Sequence, residues 1–523
     1  MTKNDKTSSL AALLGIVLGV LGTILFFNFT APSRKFDGNY SRWQKLNLIL
    51  ELVQRNYVDT VDVNKVTDAA VNASLAALDP HSVYLPPVDL ERSQQDLAGN
   101  FDGIGIQFNV PNDTAIVLEV IPGGPSEKVG LQAGDRLLKV NDTDIAGVKF
   151  PQDSMVRRMK GPAGTEVNIL VKRGSEQIPF KIKRGKIPVH CVDASFMIND
   201  TTGYIRLSKF SVTTFEEVSA AGKDLLAKGM KHLIFDLRDN SGGYLDQALL
   251  LSDMFLEKGD EIVYLQGLHH KREDYKADGK GILKDVSLSV LVNENSASSS
   301  EIFAGAIQDN DRGTIVGRRS FGKGLVQESK FFNDGSGIRL TIARFYTPSG
   351  RCIQKPYSSD YQYDIYKRYA DGEMFDRDSI KVDSTEIYHT VGGRTVYGGG
   401  GIVPDVFVPV DTTLATKYFI KCNKKATQMR FASSIFDQYG KRLSSIDNYP
   451  QLDAFLDELD IPSKFQAYAA SVDGIKAADG EWTKTAPYMV PQLRALIGRY
   501  SKLSDNAFYR IYLEIDDVVK AAL

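Results

Sequence analysis

Cysteine and histidine are scarce in this 523-residue chain, and neither is clustered. The three cysteines, Cys191, Cys352 and Cys422, lie far apart and lack metal-ligand spacing. That argues against a disulfide framework and leaves a zinc site without support. No charge of one sign dominates either. Lys+Arg number 63 against 65 for Asp+Glu, so composition points to neither nucleic acid nor an acidic substrate. Internal repeats are absent. Long apolar runs are missing too, with one exception. Residues 10–29 carry no charge, are interrupted only by Thr23 and Asn28, and follow Lys3 and Lys6. About twenty such residues span a bilayer as a helix. There is no convincing small-residue cleavage site, so the expectation is an uncleaved signal-anchor at residues 1–32. The rest of the chain would then lie outside the cytoplasm, on the periplasmic side.

What is present is organised around residues 286–327. The β-branched run 286–292 reads as a buried strand, and Asn293-Glu294-Asn295-Ser296 as a sharp turn. The segment opening at Ser298-Ser299-Ser300-Glu301 has helical spacing. A hydroxyl is thereby set at a helix N-terminus, where unpaired N–H groups and the helix dipole favour negative charge. Ser298-x-x-Glu301 is equally a capping box, a purely structural device. Lys323 lies between Gly322 and Gly324, with Gln327 four residues on. A serine needs a base to attack at neutral pH, and a desolvated neutral lysine can serve. Taken alone, Lys323 is also an ordinary solvated loop lysine.

NENSASSSEIFAGAIQD followed by GRRSFGKGLVQ resembles the carboxyl-terminal processing (tail-specific) proteases. The resemblance implies Ser298 as nucleophile, Lys323 as its base and Gln327 as the residue orienting the lysine. Ser299 stands where alanine is commoner, and its backbone N–H is the group expected to matter. FDLRDNSGGYLDQA resembles the family's Asp-x-Arg-x-Asn-x-Gly-Gly segment, with Ser241 where proline is common. Gly243 or Gly242 should therefore supply a second oxyanion N–H beside that of Ser299. Residues 341–351, 401–406 and NYVDTVD…LDPHSVYLPP extend the resemblance over roughly 45–410. His81, after Asp79-Pro80, reads as a turn or capping residue more readily than as a base.

Residues 90–185 resemble a PDZ domain, GLQAGDRLLKVND being the most specific signal. Such a domain implies that Gly103, Ile104, Gly105 and Ile106 grip a peptide's C-terminal carboxylate, the peptide adding as a strand. Without that resemblance the two glycines are turn or bulge glycines. From Lys186 strands alternate with helices, the pattern of an α/β core. The expected fold is mixed α/β. It comprises a helical region (36–88), the inserted PDZ domain (90–185), a crotonase/ClpP-like protease core (186–410, a detail from the resemblance) and a helical extension (411–523). A charged, tyrosine-rich insertion at about 356–395 has no assignable structure. Residues beyond 411 suit a dimerisation arm, an accessory cap or a partner surface, so a homo-oligomer is left open.

The implied activity is a serine endopeptidase working on C-terminal tails of exported proteins, with no metal or organic cofactor. Two other readings stand beside it. One is a PDZ scaffold that retains the fold without catalysis. The other is a serine hydrolase using His81, His269 or His270.

Overall fold

The computed structural model describes residues 42–110, 113–358, 360–413 and 416–523. The expected signal-anchor lies outside these, and among the described residues no helix is long and apolar enough to cross a membrane. The chain divides after Ala77 into two units. The first holds two helices, Arg42–Asn56 and Val63–Ala76, the second capped where the Asp62 carboxylate accepts the Lys65 N–H at 3.3 Å.

The second unit begins with the turn 79–82 and the strand Val83–Leu85, which joins a sheet rather than extending the helical region. Its centre is a six-stranded sheet ordered Val192–Met197, Thr202–Leu207, His232–Asp236, Ser287–Val292, Thr314–Gly317, Val406–Phe407. The first pair is antiparallel and all others are parallel. Parallel strands need both faces covered, which is why 286–292 is largely apolar, broken only by Ser287 and Ser289. Helices Thr214–Ala227, Leu245–Asp253 and Ser299–Asp309 contribute to a core including Phe235, Phe255 and Phe303 on one face. The opposite face packs Tyr204, Ile234 and Leu291 against Leu513, Val518 and Val519. The far end of the chain thus completes the sheet. A second, five-stranded antiparallel sheet carries Leu325–Phe331 beside Gly337–Tyr346.

The PDZ module has its own sheet and core, the latter around Val117, Leu137 and Val171. Its entry strand Asn100–Gly103 and exit strand Gly185–Pro188 pair antiparallel, Asn100 opposite Pro188 and Gly103 opposite Gly185. Beyond residue 416 seven helices follow, from Lys417–Lys424 to Asp517–Ala522, several capped by side chains such as Thr416, Asn448 and Asp460. The amphipathic stretches 452–459 and 493–500, which the sequence shows in the expected helical extension, fall within or at the ends of Tyr449–Glu458 and Glu481–Gly498.

Candidate active site and tail-binding groove

The strand Ser287–Val292 ends at Asn293, whose N–H bonds Ser296 Oγ at 3.0 Å and starts a tight turn. Ser298 comes out of that turn at φ 57°, ψ −113°, immediately before the helix Ser299–Asp309. Positive φ is costly for a residue with a Cβ, so the surrounding bonds must hold it there. They do. Ser298 N–H donates to Glu301 Oε2 at 2.9 Å, and Ala297 N–H to Asn240 O at 3.0 Å.

Glu301 does more than cap. It is fully buried, and its Oε2 also accepts the Lys323 N–H at 2.8 Å. Its Oε1 takes Gly322 N–H at 2.6 Å and Ser320 Oγ at 2.5 Å. Burial lifts this carboxyl above the ordinary range, while the four donors pull it back. Because one oxygen binds both backbone nitrogens, Ser298 and Lys323 are brought within about 6 Å at the backbone. The sequence showed Glu301 only as a cap; a capping box carries no sign of a partner twenty-two residues on.

Lys323 Nζ donates to Gln327 Oε1 at 2.9 Å, and Gln327 Nε2 donates to the His81 carbonyl at 2.7 Å. No hydrogen bond joins Lys323 Nζ to Ser298 Oγ in this structure. Burial, with the Arg339 guanidinium next, lowers the Lys323 pKa. His81 is a turn residue: its N–H and that of Ser82 both bond Asp79 Oδ1 at 2.7 Å. Its Nε2 meets Tyr361 Oη at 2.6 Å, and burial, then the charge of Lys323, push it down to about 4. Gln354 Nε2 donates to the same Tyr361 oxygen at 3.2 Å. The unassigned insertion therefore supplies a buried residue that bonds His81, which no sequence pattern disclosed. His269 and His270 lie in the turn between Glu261–Gln266 and Glu273–Lys276, where His270 Nδ1 is 2.9 Å from Lys271 O.

The loop 238–243 approaches Ser298 from the neighbouring strand. A Cβ on Gly242 would lie 2.8 Å from Ser298 Cβ and 2.9 Å from Ser299 N; one on Gly243 would strike Phe210 O at 2.0 Å. Both positions have φ in the left-handed half, 98° and 154°, so glycine is required twice over. The two differ in what their N–H groups do. Gly242 N–H is taken by Asn240 Oδ1 at 2.9 Å. Gly243 N–H has no protein acceptor among the described residues, nor has Ser299 N–H at the first turn of its helix. The Ser299 hydroxyl donates to Gly243 O at 3.0 Å, so its side chain contributes as well as its backbone.

In the PDZ module Gly103, Ile104, Gly105 and Ile106 line one groove of 360 Å³ with Val156 and Met159 from the helix Gln152–Met159. The Ile104 carbonyl accepts Ser126 N–H at 3.0 Å and Ser126 Oγ at 2.7 Å, and the Gly105 carbonyl accepts Ile121 N–H at 3.1 Å. Gly105 has φ 77°, and a Cβ there would meet Ile187 at 2.9 Å. Among the described residues no group of three or more His, Cys, Asp or Glu side chains is placed to hold a metal ion.

Residues 201–365 match the model of peptidase family S41, and residues 103–183 that of the PDZ domain. A PDZ domain implies binding of peptide C-termini. A carboxy-terminal-processing protease of Bartonella bacilliformis is 37% identical over 351 residues, 65% of this chain and 80% of that one. A probable CtpA-like serine protease of Staphylococcus epidermidis is 32% identical over 344 residues, 65% of this chain and 69% of that one. A solved photosystem II D1 C-terminal processing protease is 26% identical, covering 71% of this chain and 94% of its own at a TM-score of 0.37. With one relative of 37% identity matched over four-fifths of its length, this chain belongs to the carboxy-terminal-processing serine proteases of family S41.

Proposed function

We propose that the chain hydrolyses peptide bonds with a Ser298–Lys323 dyad, on proteins whose C-terminal tails dock in the PDZ groove. The observation that carries this reading is the single Glu301 oxygen binding both Ser298 N–H and Lys323 N–H. A cap alone has no use for the second bond. Lys323 has a neutral amide, not a carboxylate, as its partner, and burial favours its uncharged form. On substrate binding its flexible arm turns from Gln327 to Ser298; catalytic hydrogen bonds often form only in the Michaelis complex.

The Ser298 Oγ–H proton passes to Lys323 Nζ as Oγ bonds the scissile carbonyl carbon. Ser299 and Gly243 N–H groups receive the oxyanion. Lys323 then gives the proton to the leaving amine as the C–N bond breaks. Water, deprotonated by the same lysine, attacks the acyl ester, and Oγ leaves with the proton. In the PDZ groove, Gly103 to Ile106 bind the terminal carboxylate through backbone N–H groups, and Val156 and Met159 favour an apolar tail. The apolar stretch 10–29 supports a membrane anchor and substrates among exported proteins.

The test compares wild type, Ser298→Ala and Lys323→Ala on an unfolded protein with an apolar tail, free or amidated. Cleavage by wild type alone, weakened by amidation, is expected. Cleavage by Ser298→Ala equal to wild type would overturn the reading. Loss of activity in His81→Ala, His269→Ala or His270→Ala with Lys323→Ala active would transfer the base to histidine.

A further inference from the structure

The family match ends at residue 365, and the helices beyond 416 were left without chemistry. Their last turn nevertheless reaches the loop that carries Gly243. Arg238 opens that loop. Its Nε and Nη2 grip the fully buried Asp236 at 2.9 and 2.6 Å, and its Nη1 contacts Asp516 Oδ2 at 2.8 Å. Asp516 is itself buried, and its Oδ1 caps the final helix through Val518 N–H at 3.0 Å and Val519 N–H at 3.3 Å. Arg206 completes the cluster, with Nη1 on Asp236 Oδ2 at 3.0 Å and Nη2 on the Arg238 carbonyl at 3.2 Å. It lies against the Tyr509 ring, 5.1 Å from its centroid.

Two guanidiniums thus face Asp236, and Asp516 supplies the second negative charge. Asp239 and Asp193 are farther, 3.6 Å from Arg206 Nη2 and 3.7 Å from Arg206 Nε, and burial lifts the Asp193 carboxyl above the ordinary range. Without Asp516, Arg238 keeps only the carboxylate it shares with Arg206, and nothing fixes its outer nitrogen. The loop from Arg238 to Gly243 is short; Asn293 and Asn295 hold Asp239, and Asn240 on Leu207 O and Phe210 on Gly242 O hold its far end, so Arg238 is the anchor of its first residue.

We propose that Asp516 is a positioning residue: acting through Arg238, it sets the loop that aims Gly243 N–H at the oxyanion. The helical region beyond the family match is then a working part of the protease. This rests on the reading of Gly243 as an oxyanion donor. Misplacing a donor by a fraction of an ångström lowers kcat and leaves tail binding untouched.

The experiment uses the full chain with Asp516→Asn, which keeps a good capping residue and removes the charge. Expected is a drop in kcat of about tenfold, with KM and PDZ affinity for a free-carboxylate peptide within about twofold. The midpoint of the pH–rate profile, set by the lysine, stays where it is in wild type. In an Arg238→Met background the same change has no further effect on kcat. An unchanged kcat in Asp516→Asn overturns the proposal. So does a parallel fall in kcat, peptide affinity and Tm, which means general destabilisation. If wild type and Ser298→Ala are equally inert towards a serine-directed fluorophosphonate, the dyad reading itself fails and this inference falls with it. If only wild type is labelled and Asp516→Asn retains full kcat, the inference alone is lost.

Discussion

Two lysines, Lys323 half-buried and Lys355 buried, flank one short loop, and they are treated in opposite ways. Lys323 faces a neutral amide, and Arg339 adds to the burial that lowers its pKa. Lys355, whose N–H bonds Gly322 O at 3.0 Å, has Asp364 Oδ2 at 3.0 Å from its Nζ. Its ammonium also lies 3.9 Å from the Phe321 ring centroid and 4.4 Å from that of Tyr361. Burial lowers its pKa too, but there the carboxylate opposes burial. The Nζ of one lysine meets a neutral amide, with only the more distant charges of Glu301 and Asp79 opposing its burial; that of the other meets a carboxylate and two ring faces. The difference is the one expected between the proposed base, which has to exchange a proton, and a group that holds a segment in place.

Breaking the comparison at Lys323 should have the largest effect. Lys323→Met is expected to lower kcat/KM by at least about 10³-fold. Folding lowers this pKa, so the unfolded chain holds the proton more tightly. Burial therefore costs stability at every pH below the unfolded value, in full once the pH is below the folded one. Tm of Lys323→Met should accordingly be unchanged or raised at neutral pH, measured by calorimetry; a large fall would make the lysine structural.

The comparison sharpens when Lys323 is made to resemble Lys355. Gln327→Glu gives it a carboxylate and raises its pKa. In wild type kcat/KM should rise with pH, falling about tenfold per unit below the Lys323 pKa. In the variant this limb should move to higher pH by about one to two units, with the plateau reached at alkaline pH retained. A pH–rate profile that does not move would remove Gln327 from any part in tuning the base.

The smallest effect is expected at the other lysine. Lys355→Met should cost about 1–3 kcal/mol of stability by stranding Asp364, and less than about tenfold in kcat. Denaturant titration and steady-state rates check both, and a loss of activity matching Lys323→Met would erase the distinction.

The two lysines also mark how far the sequence could be read. The strand–turn–helix pattern set Ser298 at a helix N-terminus, while Lys323 and Gln327 were singled out by the resemblance of one contiguous segment; the structure joins Lys323 Nζ to Gln327 Oε1. The glycine loop was legible as a motif, but which glycine keeps a free N–H depends on where the Asn240 amide turns. Lys355 and Tyr361 were not legible. Their roles come from an aromatic pair and a carboxylate that meet only when the insertion folds back, with Arg368 Nη1 on Ser320 O at 3.0 Å and Nη2 on Arg319 O at 2.7 Å. Asp516 was hidden for the same reason: a helix cap looks alike whether or not an arginine from residue 238 finds its second oxygen.

The paired strands Asn100–Gly103 and Gly185–Pro188 make the PDZ module detachable in principle. The chain leaves the core and returns to it at adjacent points, so excising residues 104–184 and joining the strands by a short turn would leave an ordinary hairpin. The module also touches the C-terminal helices, Arg136 Nη2 lying 2.6 Å from Asp437 Oδ2 and Leu118 and Ala133 packing on their core, so an exchange has to replace those contacts too. A different peptide-reading domain with neighbouring termini can be grafted at Gly103 and Gly185, redirecting the same hydrolytic machinery to another class of tail.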